Sequence, residues 1–397
     1  MIILRNEVYG GTVFDASEGT LIRLDHEGFL AVLKYSLGLK LNEQEMQMIK
    51  EISSKTSIEN SVNFIRLSKL SLKKKDILVT NGPELIDFQI TYKCNLSCPH
   101  CYVDARPNGI SISLRRAIHA LNEFYKCRVL QVAFGGGEPT LHPALPIILR
   151  ETYDRGIVPN LTSNGRSIPD KIIDSITKYC GAVAFSIEDI DENFAKSRGY
   201  DIRELFRVSS SLISVGVNVA FHILVSKGNI EKLPQIVTRL LDLKPYAIVL
   251  LTYKPVGRGN PNYALTTVNP NVLHNKVKEV IGLLRGKTSI GFDECFAPAL
   301  SRLYMSLKSE AYEGCSAART SANVNPYLDV RPCSFVNYIG GNLGKQTLME
   351  IWYSDLFETF RNRIVERYHY CLRFNCILAH LCLGGCPIMK LVPCTLN

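Results

Sequence analysis

Cys94, Cys98 and Cys101 place three thiols within eight residues, at C-x3-C-x2-C spacing, directly after the apolar run 86–90. Three thiolates from one short loop can hold three irons of a cubic iron–sulfur cluster and leave the fourth iron open to a substrate or cofactor. Two other readings stand beside that one. Zinc accepts thiolates in a tetrahedron, and the i, i+4, i+7 positions could line a buried helix face, since free cysteine packs as a small hydrophobe. Pro99 within the run and Gly109 after it favour a loop over a helix.

A second constellation follows at Gly135, Gly136, Gly137, Glu138 and Pro139. Glycines let a backbone approach a ligand closely, and the Glu138 carboxylate could receive an ammonium group. A glycine run alone is equally a tight turn, so its place in the chain decides its weight. Residues 86–91, 128–134, 158–162, 182–186, 217–225 and 247–252 read as apolar strands, separated by helical patterns over 112–126, 144–154, 168–179, 202–214 and 230–243. Strands of this kind, alternating with helices, imply a parallel sheet, doubly wound or curled into a barrel. Either architecture puts its site at the C-terminal ends of the strands. The cysteine loop ends the first strand and the glycine run ends the second.

A chain of 397 residues with 46% hydrophobic content has room for two or three domains around a real core, which excludes a disordered protein. The N-terminus lacks a signal-peptide pattern, and no apolar run approaches the roughly 20 residues of a membrane span. The expected compartment is the cytoplasm, with no membrane partner. In that reducing setting the 13 cysteines are poor disulfide candidates, and metal sites or catalysis explain them better. The net charge of +9 could suit nucleic acid, an acidic peptide or an anionic cofactor, but it is diffuse and decides little; its densest run, Lys73 to Lys75, reads as a solvated linker, and a nucleic-acid partner is not expected.

With both motifs in place, the chain resembles the radical S-adenosylmethionine (SAM) superfamily. Cys94, Cys98 and Cys101 match its cluster motif, with His100 at the usually aromatic position beside the adenine. Gly135 to Pro139 match the motif that binds the methionyl amino group, and Thr162-Ser-Asn164-Gly165 resembles the third-strand signature. Ser186 and Arg198 lie where relatives contact the ribose or carboxylate of SAM, although Ser186-Ile-Glu-Asp-Ile departs from the commoner Ser-Leu-Asp-Gly. Lys254-Pro-Val-Gly-Arg-Gly259 is similar to the loop after strand six. The resemblance implies an α/β fold with a partial (βα)6 TIM-like barrel, a catalytic 4Fe-4S cluster, and an electron donor such as flavodoxin or ferredoxin. It also implies the chemistry: the open iron chelates SAM, one electron cleaves a carbon–sulfur bond, and the 5′-deoxyadenosyl radical abstracts a substrate hydrogen. Cofactors perform the difficult step while the protein orients them.

Eight further thiols, Cys295, Cys315, Cys333, Cys371, Cys376, Cys382, Cys386 and Cys394, are enough for two fully ligated cubic clusters, and zinc ribbons could use the same number. Their order resembles the SPASM extension, which houses two auxiliary 4Fe-4S clusters. Val330-x-Pro332-Cys333, Gly341-Asn-Leu343, Ile351-Trp352 and Cys382-Leu-Gly-Gly-Cys386 add to the match. Its crossed ligation assigns Cys295, Cys315, Cys333 and Cys386 to the first auxiliary cluster and Cys371, Cys376, Cys382 and Cys394 to the second. Leu328 stands where the pattern has Gly, Cys371-x4-Cys376 is longer than the usual spacing, and Cys295 lies far enough upstream for the first cluster to keep an open site. Cys127 and Cys180 read as packing residues.

At the N-terminus, 10–14 and 20–24 flank a turn and predict a β-hairpin. Asp25 can cap a helix whose Phe29, Leu30, Leu33 and Tyr35 offer apolar contacts, a second helix covers 42–53, and the Ser/Lys-rich 68–76 reads as a boundary. This hairpin, winged-helix-like unit resembles the PqqD-like domain that recognises a precursor peptide's leader, on the pattern Arg5-x-Glu7-x-x-Gly10-Gly11-x-x-Phe14-Asp15. An ordinary structural cap on the barrel is the other reading. The expected domains are 1–80 for leader recognition, 81–265 for the barrel and 266–397 for the auxiliary clusters. The implied function is maturation of a ribosomally made precursor peptide by an oxidative thioether crosslink. Carbon–carbon or carbon–oxygen crosslinking, sulfatase-type side-chain oxidation and RNA modification are the alternatives.

Overall fold

Residues 1–58, 62–65, 76–306, 314–376 and 378–394 are described by a computed structural model of the chain. Among them the N-terminal strands form one sheet in the order β3-β2-β1-β4, with β1 at Ile2–Glu7, β2 at Gly10–Asp15, β3 at Thr20–Leu24 and β4 at Val62–Ile65. β2 and β3 are the expected hairpin, closing with Asp15 opposite Thr20. β1 and β4, which the hairpin pattern does not announce, pair antiparallel with β2 and parallel with β1 respectively. Asp25 accepts from the Gly28 amide at 2.8 Å and caps α1 (His26–Ser36). Asn42 and Glu45 form a reciprocal box that starts α2 (Glu43–Ser53). α1 turns Gly28, Phe29, Ala31 and Val32 to the sheet, so Leu30 is 51% exposed rather than a contact. The expected boundary at 68–76 lies, except for Asp76, outside the described residues.

The second sheet has ten strands: β5 (Leu85–Thr91), β6 (Gln131–Gly136), β7 (Val158–Ser163), β8 (Ala182–Ile187), β9 (Val219–Val225), β10 (Ala247–Thr252), β11 (Ser289–Phe292), β12 (Ser321–Val324), β13 (Asp329–Arg331) and β14 (Gly341–Asn342). β5 to β10 are parallel and neighbours in chain order. The helices among them are α3 (Leu114–Lys126), α4 (Leu145–Asp154), α5 (Asp170–Tyr179), α6 (Glu192–Arg198), α7 (Ile202–Ser214) and α8 (Leu233–Leu241). This is the expected partial (βα)6 barrel, with the short α6 added. Strand alternation sorts its residues: Ile86, Phe88 and Ile90 are fully buried, and Phe88 packs edge-on against Phe124 of α3 at 5.3 Å. Asp87 and Gln89 therefore face the concave interior.

Beyond residue 265 the chain stays in the same sheet. After α9 (Pro270–Leu284), β11 adds in parallel to β10 at one edge, and β12 adds in parallel to β5 at the other. β13 and β14 continue the second edge antiparallel. α10 (Leu348–Trp352), α11 (Asp355–Arg373) and α12 (Ala379–Cys382) follow. The buried Trp352 donates its indole N–H to Thr80 O at 3.1 Å, and buried Arg361 donates to Ala318 O and Trp352 O at 2.7 Å each.

The N-terminal sheet is bolted to the barrel's lower rim. Fully buried Arg5 pairs with Glu7 at 2.5 Å and donates to the carbonyls of Gly82, Pro83 and Arg128, while Glu7 accepts from the Asn81 amide at 2.7 Å. Arg23 of β3 pairs with Glu84 at 2.8 Å. Arg5 and Glu7 of the quoted N-terminal pattern thus serve as anchors. No helix among the described residues is long and apolar enough to cross a membrane.

Candidate active site

The cysteine loop leaves the C-terminal end of β5 and is held by main chain. The Cys94 amide donates to Arg106 O at 3.0 Å, and the Arg106 amide returns to Tyr92 O at 3.1 Å. Two amides point at sulfur: Leu96 N to Cys94 Sγ at 3.4 Å and Ala105 N to Cys101 Sγ at 3.3 Å. A clamp comes from the 254–259 loop. Arg258 donates through Nε to Cys98 O at 2.9 Å and through Nη1 to Ala105 O at 2.8 Å, and it pairs with Asp104 at 2.7 Å. Gly257 lies at φ +61°, and a Cβ there would overlap Cys101 O.

Gly136 and Gly137 bring β6 against this loop rather than leaving a gap. A side chain on Gly136 (φ +108°) would overlap Thr91 O, and one on Gly137 would overlap Lys93 O. The amides of Gly137 and Glu138 donate to those same carbonyls at 2.7 and 2.8 Å. Glu138 is buried, and its carboxylate accepts from Thr140 N, Thr140 Oγ1, Ser163 Oγ and Asn164 N at 2.6–3.1 Å. Burial pushes its carboxyl up. Glu138 thereby ties β6 to the end of β7, where Asn164 donates to Asn95 Oδ1 at 2.8 Å and approaches Cys94 Sγ at 3.9 Å. Pro139 opens a buried 3-10 turn.

On the other side of the loop, Arg198 makes a two-pronged pair with Glu188 at 2.7–3.0 Å, joined by Ser197 and, at 3.8 Å, by His100 Nε2. Glu188 belongs to the stretch that departs from the commoner signature, and it uses much of Arg198's donor capacity. Burial, outweighing Glu188, lowers His100 to about 4, so its ring is neutral at pH 7. Ser186 lies on β8 opposite His222 of β9.

The C-terminal thiols fall into two electrostatic groups: Cys295, Cys315, Cys333 and Cys386, and Cys371, Cys376, Cys382 and Cys394. Among the described residues no three His, Cys, Asp or Glu side chains are close enough to share one metal ion. A cavity of about 570 Å³ opens among Cys295, Cys371, Cys376, Cys382, Cys386 and Cys394. Thiols spaced around a cavity fit a cubic cluster, which each sulfur meets through a different iron, better than one tetrahedral zinc. Burial pushes the Cys333 and Cys382 thiols up to about 12, so a metal's charge is what would make them thiolates. Cys127 and Cys180 sit at the C-terminal caps of α3 and α5, packed on the core and raised by burial to about 12, as unreactive packing residues are.

The profile of the Radical SAM superfamily matches residues 88–240, and that of the SPASM iron-sulfur cluster-binding domain matches residues 315–377. The chain is a radical SAM enzyme. It is 23% identical, over 70% of its length and 84% of the relative's, to the AdoMet-dependent heme synthase of Methanosarcina barkeri. It is 24% identical, over 70% of its length and 76% of the relative's, to the PqqA peptide cyclase of Xanthomonas campestris pv. campestris. Its fold is similar to that of SuiB from Streptococcus suis, solved with the precursor peptide SuiA, at TM-score 0.70 and 18% identity over 97% of this chain and 94% of that one.

As a radical SAM enzyme with a SPASM domain, the protein binds SAM and iron–sulfur clusters. Motif reading does not find Glu188, Asn95 or the Tyr102–Phe335 ring pair at 5.0 Å, which joins the residue after Cys101 to the loop after Cys333. It also misses Asp293, which pairs with Lys254 while that ammonium sits 4.7 Å over the Phe335 ring. Each belongs to a pairing between separate elements, for which local spacing carries no signal.

Proposed function

We propose that this radical SAM enzyme modifies a ribosomally made precursor peptide by oxidative crosslinking, joining a cysteine sulfur to an unactivated carbon. The observation that carries the reading is the N-terminal sheet. Sequence similarity alone does not choose the substrate, since the relatives include an AdoMet-dependent heme synthase. A small sheet with the edge strand β3 half-exposed, fixed beside the barrel, suits capture of a leader by strand addition. The likeness of the whole chain to SuiB, a protein crystallised with its precursor peptide, supports the same reading. On it, residues 1–80 act as a PqqD-like leader-recognition domain, 81–265 as the barrel and 266–397 as the auxiliary-cluster domain.

Cys94, Cys98 and Cys101 then ligate the catalytic 4Fe-4S cluster. Two auxiliary 4Fe-4S clusters take the eight C-terminal thiols, four each, in the two groups above. His100, Gly135, Gly136, Gly137, Glu138, Pro139, Asn164, Ser186 and Arg198 surround SAM, with Glu138 shaping the amino-group site and Arg198 acting together with Glu188. A flavodoxin or ferredoxin supplies electrons, and the reducing cytoplasm suits both thiols and clusters.

The test is anaerobic reconstitution followed by mass spectrometry of a candidate peptide incubated with reduced enzyme and SAM. About 12 irons per chain and a product lighter by two hydrogens are expected. About four irons with zinc in the C-terminal region would refute the three-cluster assignment. A peptide that gains solvent deuterium without losing hydrogens would replace crosslinking by epimerisation.

A further inference from the structure

Asp87 is a titratable group in the barrel interior that the assignments above leave without a role. It stands on β5, and its Oδ1 lies 4.0 Å from where a Cβ on Gly135 would be, so the glycine leaves that oxygen uncovered toward the motif. Its other oxygen accepts from Asn323 Nδ2 of β12 at 3.0 Å, and the Ser334 hydroxyl also bonds the carboxylate. Ser334 directly follows Cys333, so one carboxylate touches both the catalytic strand and a thiol-bearing loop. Opposite Asn323 on β13 is Arg331. Asn323 Oδ1 and Arg331 Nε are both buried and have no hydrogen-bond partner among the described residues. A buried acceptor and a buried donor on paired residues, beside a carboxylate, form a set that a peptide N–H and C=O would satisfy.

We propose that Asp87 is the base that takes the substrate's proton as the crosslink forms, with Asn323 Oδ1 and Arg331 Nε holding the adjoining peptide group. The proposal deepens the peptide reading and rests on it. Bound SAM and the clusters supply the hydrogen-abstracting radical and a one-electron acceptor of the iron–sulfur class. The substrate carbon loses a hydrogen atom, the cysteine thiol gives its proton to Asp87, the carbon–sulfur bond forms, and one electron leaves to that acceptor. Burial supports the role by pushing the Asp87 carboxyl up to about 6 against the bonds from Asn323 and Ser334. The groups facing it are Asn323 of β12 and Ser334, with Arg331 of β13 on the same face one strand beyond Asn323, Tyr92 and Tyr102 from the loop after β5, and Ala133 and Gly135 from β6. Burial keeps both tyrosines protonated. The base form of Asp87 is populated above its pKa, so crosslinking falls as pH drops through about 6.

The experiment compares reconstituted wild type, Asp87→Asn and Asp87→Glu on a precursor peptide deuterated at the attacked carbon. Deuterium in 5′-deoxyadenosine and crosslinked product are measured separately across pH. Asp87→Asn should keep its iron and its deuterium transfer, lose product about a hundredfold, and lose the acid limb. Asp87→Glu should restore part of the product. Wild-type crosslinking rate and pH profile in Asp87→Asn overturn the base role alone. Iron loss and early melting in both variants show a structural carboxylate and overturn it too. A wild-type enzyme that moves no deuterium from the peptide sinks the peptide reading, and the base role with it.

Discussion

The loop of Cys94, Cys98 and Cys101 is tied down by polypeptide. Main-chain bonds from Arg106 and Tyr92, the Arg258 clamp and the close approach of Gly136 and Gly137 fix where its sulfurs stand. Of the C-terminal thiols, Cys295, Cys371, Cys376, Cys382, Cys386 and Cys394 come from several separate elements and line one cavity. One region is clamped by hydrogen bonds from neighbouring loops, and the other frames a cavity with thiols from separate elements. A site that must accept and release SAM at every turnover is preorganised by protein. A site that holds a permanent group can let that group do the folding.

The largest effect should come from emptying the second kind of site. Cys371→Ser is expected to lower the iron content from about 12 to about eight per chain. It should also expose α11 and the tail to proteolysis. Cys94→Ala should abolish SAM cleavage yet shift unfolding by less than about 1 kcal/mol. Equal destabilisation by the two variants would break the contrast. Next in size is Arg258→Ala, which strips donors from the carbonyls of Cys98 and Ala105 and should cost about 3 kcal/mol in denaturant unfolding. Arg258→Lys keeps the charge without the fork and should recover only part of it. Gly137→Ala forces a side chain onto Lys93 O and should cost about 1–3 kcal/mol. Its signature is impaired loading of the catalytic cluster alone, seen by electron paramagnetic resonance.

The smallest effect is a pH dependence. Burial raises the Glu188 carboxyl, but Arg198 and His100 outweigh it and hold the group below its ordinary 4.5. Its stabilising contribution is therefore present above pH 4.5 and is lost as pH falls through the lowered value. Glu188→Gln should flatten that acid limb of the unfolding midpoint, while leaving the C-terminal region's response unchanged.

What the sequence disclosed follows the same division. The six βα repeats and the two catalytic motifs are written in local periodicity and spacing, so strands such as 158–162 and 247–252 coincide closely with β7 and β10. β1 and β4 were not legible, because a short strand beside a hairpin is defined by its partners. Arg5 and Glu7 read as part of a recognition pattern, although their burial against residues 81–84 makes them a joint. Arg198 read as a contact to the ribose or carboxylate of SAM, and its pairing with Glu188, ten residues away along the chain, was not legible. The continuation of the sheet into β11 and β12 joins segments more than two hundred residues apart in one case, which no local pattern encodes.

On the proposed cluster assignment, that continuation has a consequence for electron movement. β12 lies one ladder step from β5 and β13 two, so the strands that lead to Cys94 and to Cys333 belong to a single sheet, antiparallel to one another. Each step is about 4.8 Å and is locked by backbone hydrogen bonds. A hinge between domains would let the donor–acceptor gap breathe, and tunnelling rates fall exponentially as such a gap widens. Here the strands that lead to the two thiol loops share one hydrogen-bonded ladder, so a hinge between them would have to break it.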